Sequence, residues 1–173
     1  MLTEVRKQIK QRHGQFFVIM FAIILIAYFL NYFIIGFINV HGDSMEPNLK
    51  SGSRVLVLKN GYLLSEPQRF DVIVFPSRYC DQCYYIKRII GLPNEVVYIR
   101  DGRIFIDGEV LVESYGLAEI EDARGAGEPI KLAVDEYFVL GDNRNNSTDS
   151  CDTDIGNVTK DEIAGKVLIW PKK

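Results

Sequence analysis

Apolar positions along the chain fall into one long block followed by many short ones. Residues 16–38 are apolar at every position except Asn31 and Gly36. As a helix these 23 positions rise roughly 34 Å, enough to cross a hydrocarbon core of about 30 Å. A cleavable leader has a shorter apolar centre and a small-x-small site after it, and neither is present here. A buried helix of a soluble domain would keep one polar face, and this segment has none. The pattern therefore predicts a transmembrane helix over residues 15–38.

Beyond residue 38 the apolar runs become short and rich in β-branched and aromatic residues. Residues 55–58, 72–75, 84–90, 96–100, 104–106, 110–112, 137–140 and 167–170 read as strands. The pairs Asp101-Gly102 and Asp107-Gly108 stand between such runs, the strongest short-range hairpin signal, so residues 96–112 should form a tight meander. Further turn chemistry lies at Gly91–Asn94 and from Gly125 to Pro129. A helix is expected only around residues 113–124, where Gly116 interrupts it. The fold class is mainly β, an antiparallel folded sheet or partial barrel preceded by one transmembrane helix.

Charge orients that arrangement. Arg6, Lys7, Lys10 and Arg12 outweigh Glu4 ahead of the apolar block, while the whole 173-residue chain carries a net charge of -3. The positive-inside bias then predicts a cytoplasmic tail over residues 1–14 and an extracytoplasmic domain over residues 39–173 at the plasma membrane. An acidic chain of this kind is not built to hold nucleic acid, whereas the lipid bilayer is an expected partner. Nothing in the pattern indicates an oligomeric state.

Three elements carry candidate chemistry. The turn His41-Gly-Asp-Ser-Met-Glu-Pro47 presents Ser44 within a few residues of the apolar block. A lone serine there could simply form the turn. The strand 84–90 alters that balance, because alternation places Lys87 on one face with Tyr85 and Ile89, and Arg88 on the other with Ile86 and Ile90. A lysine with apolar neighbours loses hydration, its pKa falls, and it can take a proton from a serine hydroxyl near neutral pH. The competing reading is a lysine that snorkels to water. Histidine is a poor substitute base: His13 lies on the cytoplasmic side, and His41 is three residues before Ser44, an awkward reach.

The third element is the polar run Gly141-Asp-Asn-Arg-Asn-Asn-Ser-Thr-Asp-Ser150. Its spacing fails as a calcium loop, with Arg144 at the third position and no glycine at the sixth. It suits a scaffold that orients a base. Cys80 and Cys83 lie ahead of the Lys87 strand; without a second pair or a nearby histidine they make no tetrahedral zinc site, so no metal is expected. On the oxidising side of a membrane they should instead pair with each other, leaving Cys151 as a free, partly buried thiol. The competing pairing joins Cys151 to one of the two.

Four blocks resemble the bacterial type I signal peptidases of the short, single-span Gram-positive kind. They are Gly42-Asp-Ser-Met-Glu-Pro-Asn-Leu49, Arg69-Phe-Asp-Val-Ile-Val-Phe75, Tyr85-Ile-Lys-Arg-Ile-Ile-Gly-Leu-Pro93 and Gly141 to Ser150. The resemblance implies a membrane-bound serine endopeptidase without a cofactor, which cleaves signal peptides from exported precursors after a small-x-small sequence. It implies Ser44 as nucleophile and Lys87 as base, with Ser147 as the hydroxyl that hydrogen-bonds Lys87. Asp142, Arg144 and Asp149 would be structural polar residues, Arg88 a salt-bridge partner, and Met45 a neighbour of the substrate cleft. The Ser44 backbone N–H would serve the oxyanion. Two departures stand out. Gly42 replaces a serine that some relatives carry two residues before the nucleophile, and Cys151 replaces an arginine, which should weaken the pairing of Asp149.

Two rival readings accompany this one. A self-cleaving Ser/Lys regulator would carry a helix-turn-helix region, which is not evident. A noncatalytic chaperone of the same fold, serving surface-fibre assembly, would not need the intact Ser44 and Lys87. If the block is a membrane span, Ser44 lies within about 20 Å of the bilayer surface, where an exported precursor presents its cleavage site.

Overall fold

The computed structural model describes residues 2–29, 33–63, 65–80 and 83–169. It divides into two compact units, Met1–Gly36 and Phe37–Lys173. In the first, helix α1 spans Leu2–Phe29. From Phe16 to Tyr28 its large apolar side chains are exposed, as expected of a helix that is apolar on every face.

The predicted 15–38 helix is corrected at its far end. The described helix runs to Phe29, residues 30–32 lie outside the described residues, and Ile35–Asn39 is strand β1. A continuous apolar run does not distinguish strand from helix, and Ile35–Asn39 finds backbone partners on a neighbouring strand. The described α-helical part of the run, residues 16–29, rises roughly 21 Å. Among the described residues no helix is long and apolar enough to cross a membrane.

The second unit is mainly β and antiparallel. Its strands are β2 (Arg54–Lys59), β3 (Val72–Pro76), β4 (Tyr84–Gly91), β5 (Val96–Arg100), β6 (Arg103–Ile106), β7 (Glu109–Val110), β8 (Ile130–Lys131), β9 (Glu136–Leu140), β10 (Val158–Thr159) and β11 (Gly165–Ile169). A seven-stranded sheet has the order β1-β2-β11-β3-β4-β9-β10, and a four-stranded sheet the order β7-β6-β5-β8. The meander forms as expected. Asp101 and Gly102, then Asp107 and Gly108, all have positive φ, the backbone that two-residue hairpin turns require.

Other expectations shift. The strand expected at 110–112 ends at Val110, and Trp170 of the expected last strand lies outside the described residues. The expected helix around 113–124 does not form; one 3-10 turn, Arg124–Ala126, stands at its end. Its backbone is committed elsewhere. Leu117 N–H donates to the Asp142 carbonyl and Ile120 N–H to that of Gly102, while Glu121 N–H donates to the Asn145 side chain. The segment therefore packs as an irregular strap over the polar 141–150 run.

Strand β4 is central to the core. Ile90 joins a cluster with Val97, Ile99 and Phe138, Ile86 joins one with Val40, Met45 and Val57, and Ile89 joins one with Ile73, Tyr137 and Val139. Both faces of β4 are covered from Ile86 onward. Lys87 and Arg88 are consequently enclosed with the apolar residues that flank them.

Candidate active site

Ser44 sits in the turn that follows β1. Val40 exchanges backbone hydrogen bonds with Ser53 and Gly52, which closes the base of that turn. Gly42 turns the chain at φ 82°, a conformation that favours glycine. Met45 and Leu49, each 1% exposed, pin the far side into the core. Ser44 itself is half-buried.

Lys87 reaches the same point from β4, where it lies opposite Ile73 in the β3 register. It is 3% exposed. Its Nζ donates to Ser44 Oγ at 2.8 Å. Burial holds its pKa at about 8, well below the ordinary lysine value, against the opposing pull of Asp149, Asp142 and Asp152. The amine is thus placed to accept the hydroxyl proton once its own is lost. His41 is exposed and donates no hydrogen bond to Ser44 among the described residues.

The polar run clamps both groups. Asn143 N–H donates to the Ser44 carbonyl at 3.0 Å, and the Asn143 side chain donates to the Asp43 carbonyl at 3.2 Å. Gly141 is wedged against this contact: a Cβ there would fall 2.5 Å from Ser44 O and 2.6 Å from Ser147 Cβ. No larger residue fits.

Asp142 accepts from Arg88 Nε at 2.7 Å and Nη2 at 2.6 Å, with both side chains almost wholly enclosed. Asn48 donates to the same carboxylate at 2.9 Å, and the Arg88 guanidinium lies 3.8 Å over the Tyr115 ring. Arg144 forms a forked pair with Glu113 and donates through Nε to the Gly141 carbonyl.

Two expectations are corrected. Ser147 does not hydrogen-bond Lys87: its Oγ is buried without a partner, because its side chain is pressed against Gly141 while the lysine amine is directed at Ser44. Nor does Asp149 want for a cation. Arg124 pairs with it at 3.1 Å and with Asp152 at 2.6 Å. No local pattern at Arg124 signals this, since the contact spans 25 residues. The contributions of Glu113, Asn48 and Tyr115 are equally non-local.

Cys80 and Cys83 form a disulfide, and Cys151 is a free, buried thiol. Burial, assisted by Asp149, pushes that thiol up to about 12.

A cleft of about 300 Å³ is lined by Ser44 and Lys87 together with Ile38, Val40, Met45 and Tyr84–Ile86. Strand β4 pairs with β3 along Tyr84–Arg88, but with β9 only from Arg88 onward. Its first half therefore offers an edge at which an extended peptide backbone could pair.

Residues 13–170 match the family model described as signal peptidase, peptidase S26. Signal peptidase I S of Bacillus subtilis is 35% identical over 158 residues, 86% of this chain and 84% of its own length. A probable signal peptidase I-2 of Synechocystis is 36% identical over 141 residues, 76% of this chain, and the match spans only 62% of that relative. A crystal structure of a signal peptidase I from Enterococcus faecalis is 34% identical, covers 61% of this chain and 98% of its own, and superposes with a TM-score of 0.47.

Proposed function

The chain belongs to the signal peptidase family, peptidase S26, and from that premise we propose that it is a membrane-bound serine endopeptidase with Ser44 as nucleophile and Lys87 as general base. The observation that carries the reading is the 2.8 Å contact between Lys87 Nζ and Ser44 Oγ, two residues that line one cleft.

In the proposed reaction neutral Lys87 takes the Ser44 proton as Oγ attacks the scissile carbonyl carbon. Negative charge develops on the carbonyl oxygen, and the Ser44 N–H would serve as its donor. The carbon–nitrogen bond then breaks, and the Lys87 ammonium returns its proton to the leaving amine. Lys87 next accepts a proton from water, which hydrolyses the acyl-enzyme and frees Ser44.

The substrate is an exported precursor lying extended along the free edge of Tyr84–Lys87. Small side chains before the cut fit a shallow cleft walled by Ile38, Val40, Tyr85 and Ile86. Asp142, Arg88, Arg144 and Asp149 support the site through the polar run, and Ser147 supplies a spare hydroxyl beside it.

The apolar residues 16–34 would anchor the chain in the plasma membrane, with the basic tail in the cytoplasm and the catalytic unit outside. Protease added to intact spheroplasts should therefore digest residues 39–173; protection of that region would sink the topology.

Detergent-solubilised full-length protein should cleave a model precursor after a small-x-small site, while Ser44→Ala should not. Equal cleavage by both would refute the assignment.

A further inference from the structure

Three carboxylates, Asp142, Asp149 and Asp152, favour the charged form of Lys87. Arg88 answers the first of them from the adjacent position on β4. Asp149 is wholly enclosed, and its close neighbour in sequence, Cys151, is a thiol that burial keeps neutral.

The cation comes instead from Arg124. Its Nη2 donates to Asp149 at 3.1 Å. Its Nη1 donates to Asp152 at 2.6 Å and to the Ser147 carbonyl at 2.7 Å. The backbone under it is forced into place: Arg124 has φ 48°, outside the range a non-glycine residue adopts freely. Its N–H donates to Asp122 at 2.8 Å, and Gly125 N–H donates to the Cys151 carbonyl at 2.9 Å. Asp149 in turn accepts the Gly141 N–H at 3.1 Å, and Gly141 abuts both Ser44 and Ser147. A chain of direct contacts thus runs from Arg124 to the nucleophile.

We propose that Arg124 is a positioning residue of the Ser44–Lys87 centre, fixing the loop of Gly141 and Ser147 and neutralising Asp149 and Asp152 so that Lys87 deprotonates near neutral pH. This rests on the Ser/Lys reading given above. The groups facing Lys87 are Ser44, the Tyr85 ring 5.6 Å away on its own strand, and the three carboxylates. Arg88 and Arg124 between them pair all three. A carboxylate stripped of its guanidinium exerts a stronger field on a nearby ammonium and holds its proton on. Loss of Arg124 therefore moves the acidic limb of activity to higher pH, which a purely structural loss would not do.

The test is the pH profile of kcat/KM for full-length protein on a model precursor, with Lys87→Met as control. Arg124→Gln should raise the midpoint of the acidic limb by about one pH unit, leaving roughly a tenth of the activity at pH 7 and recovering above pH 9. Arg124→Lys should keep the wild-type midpoint. If Arg124→Gln does not fold, Arg124→Gln/Asp149→Asn removes one carboxylate with the cation, restores the local net charge with Asp152 left unpaired, and should titrate close to wild type. The same displacement should appear in the pH dependence of Lys87 acylation by an amine-selective reagent in Ser44→Ala, where no turnover occurs. A uniform loss in Arg124→Gln with an unmoved midpoint, or a double variant displaced upward, overturns the role of Arg124. An active Lys87→Met overturns the Ser/Lys reading itself.

Discussion

Lys87 and Arg88 are consecutive on β4 and equally enclosed, yet Arg88 is given a carboxylate, Asp142, and Lys87 only a hydroxyl, Ser44. That difference decides what each cation can do. Arg88, forked onto Asp142, remains a charged strut. Lys87, with no carboxylate in hydrogen-bond contact among the described residues, is driven toward the neutral amine by burial, which outweighs the opposing pull of Asp149, Asp142 and Asp152.

The first prediction follows for the pH dependence of activity. The Lys87 pKa of about 8 is reached by burial, and in the proposed reaction the neutral form is the base, so activity should rise with pH through that value. Lys87→Arg should be inactive, since guanidinium does not deprotonate in the working range, and His41→Ala should change little. A dead His41→Ala beside an active Lys87→Arg would require a histidine base.

A second prediction concerns stability. Because the folded Lys87 pKa of about 8 lies below the unfolded value, the unfolded chain holds this proton more tightly. Below pH 8 that preference costs the fold about 3 kcal/mol, relieved as pH rises from 8 toward the ordinary lysine value. Lys87→Met should therefore stabilise the fold by about 2 kcal/mol at pH 7 while abolishing cleavage. Urea unfolding of both proteins measures this, and a destabilised variant would contradict it.

How far the sequence reveals this arrangement depends on the range of the interactions involved. Ser44, Lys87 and the strand that carries Lys87 are legible because turn residues and alternation act over a few positions. The Asp-Gly hairpins are legible for the same reason. β1 is hidden because Ile35–Asn39 continues the apolar run without a change of period. β8 and β10 have two residues each, too few to show alternation. The strap over 113–124 has helix-forming residues, but its hydrogen bonds go to Gly102, Asp142 and Asn145, partners that no local pattern specifies. Arg124 is hidden in the same way. The sequence reveals that Asp149 lacks a neighbouring arginine, and only folding brings a distant one to it.

The buried pair gives a third prediction. Arg88→Met or Asp142→Asn leaves one unpaired group in an enclosed site, and each should cost about 3–5 kcal/mol. Arg88→Met/Asp142→Leu removes both charges and should recover much of that loss. The comparison by thermal or urea unfolding fails if the double variant is less stable than either single one.

Ser147 supplies a fourth. Its hydroxyl is buried and unpaired, so Ser147→Ala removes a polar group that makes no hydrogen bond in the free site. Stability should hold or improve by about 1 kcal/mol. Because the hydroxyl makes no contact with Lys87, kcat should change little as well. A large loss of kcat in Ser147→Ala would show that the hydroxyl acts in turnover, beyond its packing around Gly141.

The last prediction separates the three cysteines. Cys80 and Cys83 are joined across a very short loop, so their bond should add at most about 2 kcal/mol through the unfolded chain. Its local effect is larger, because the Cys83 carbonyl accepts the Ser77 N–H at the mouth of the β3–β4 hairpin, and Cys83 lines the cleft. Cys80→Ser/Cys83→Ser should accordingly shift unfolding little but raise KM for a model precursor through a loosened cleft wall. Cys151 should behave oppositely. Buried and held protonated, with its pKa pushed up to about 12, it should resist a thiol reagent at pH 8 in the native protein and react fully in denaturant. Peptide mapping without reduction should recover one crosslinked peptide, holding Cys80 and Cys83. A crosslinked peptide containing Cys151 would instead tie the Ser147 loop to the Lys87 strand covalently and reverse both expectations.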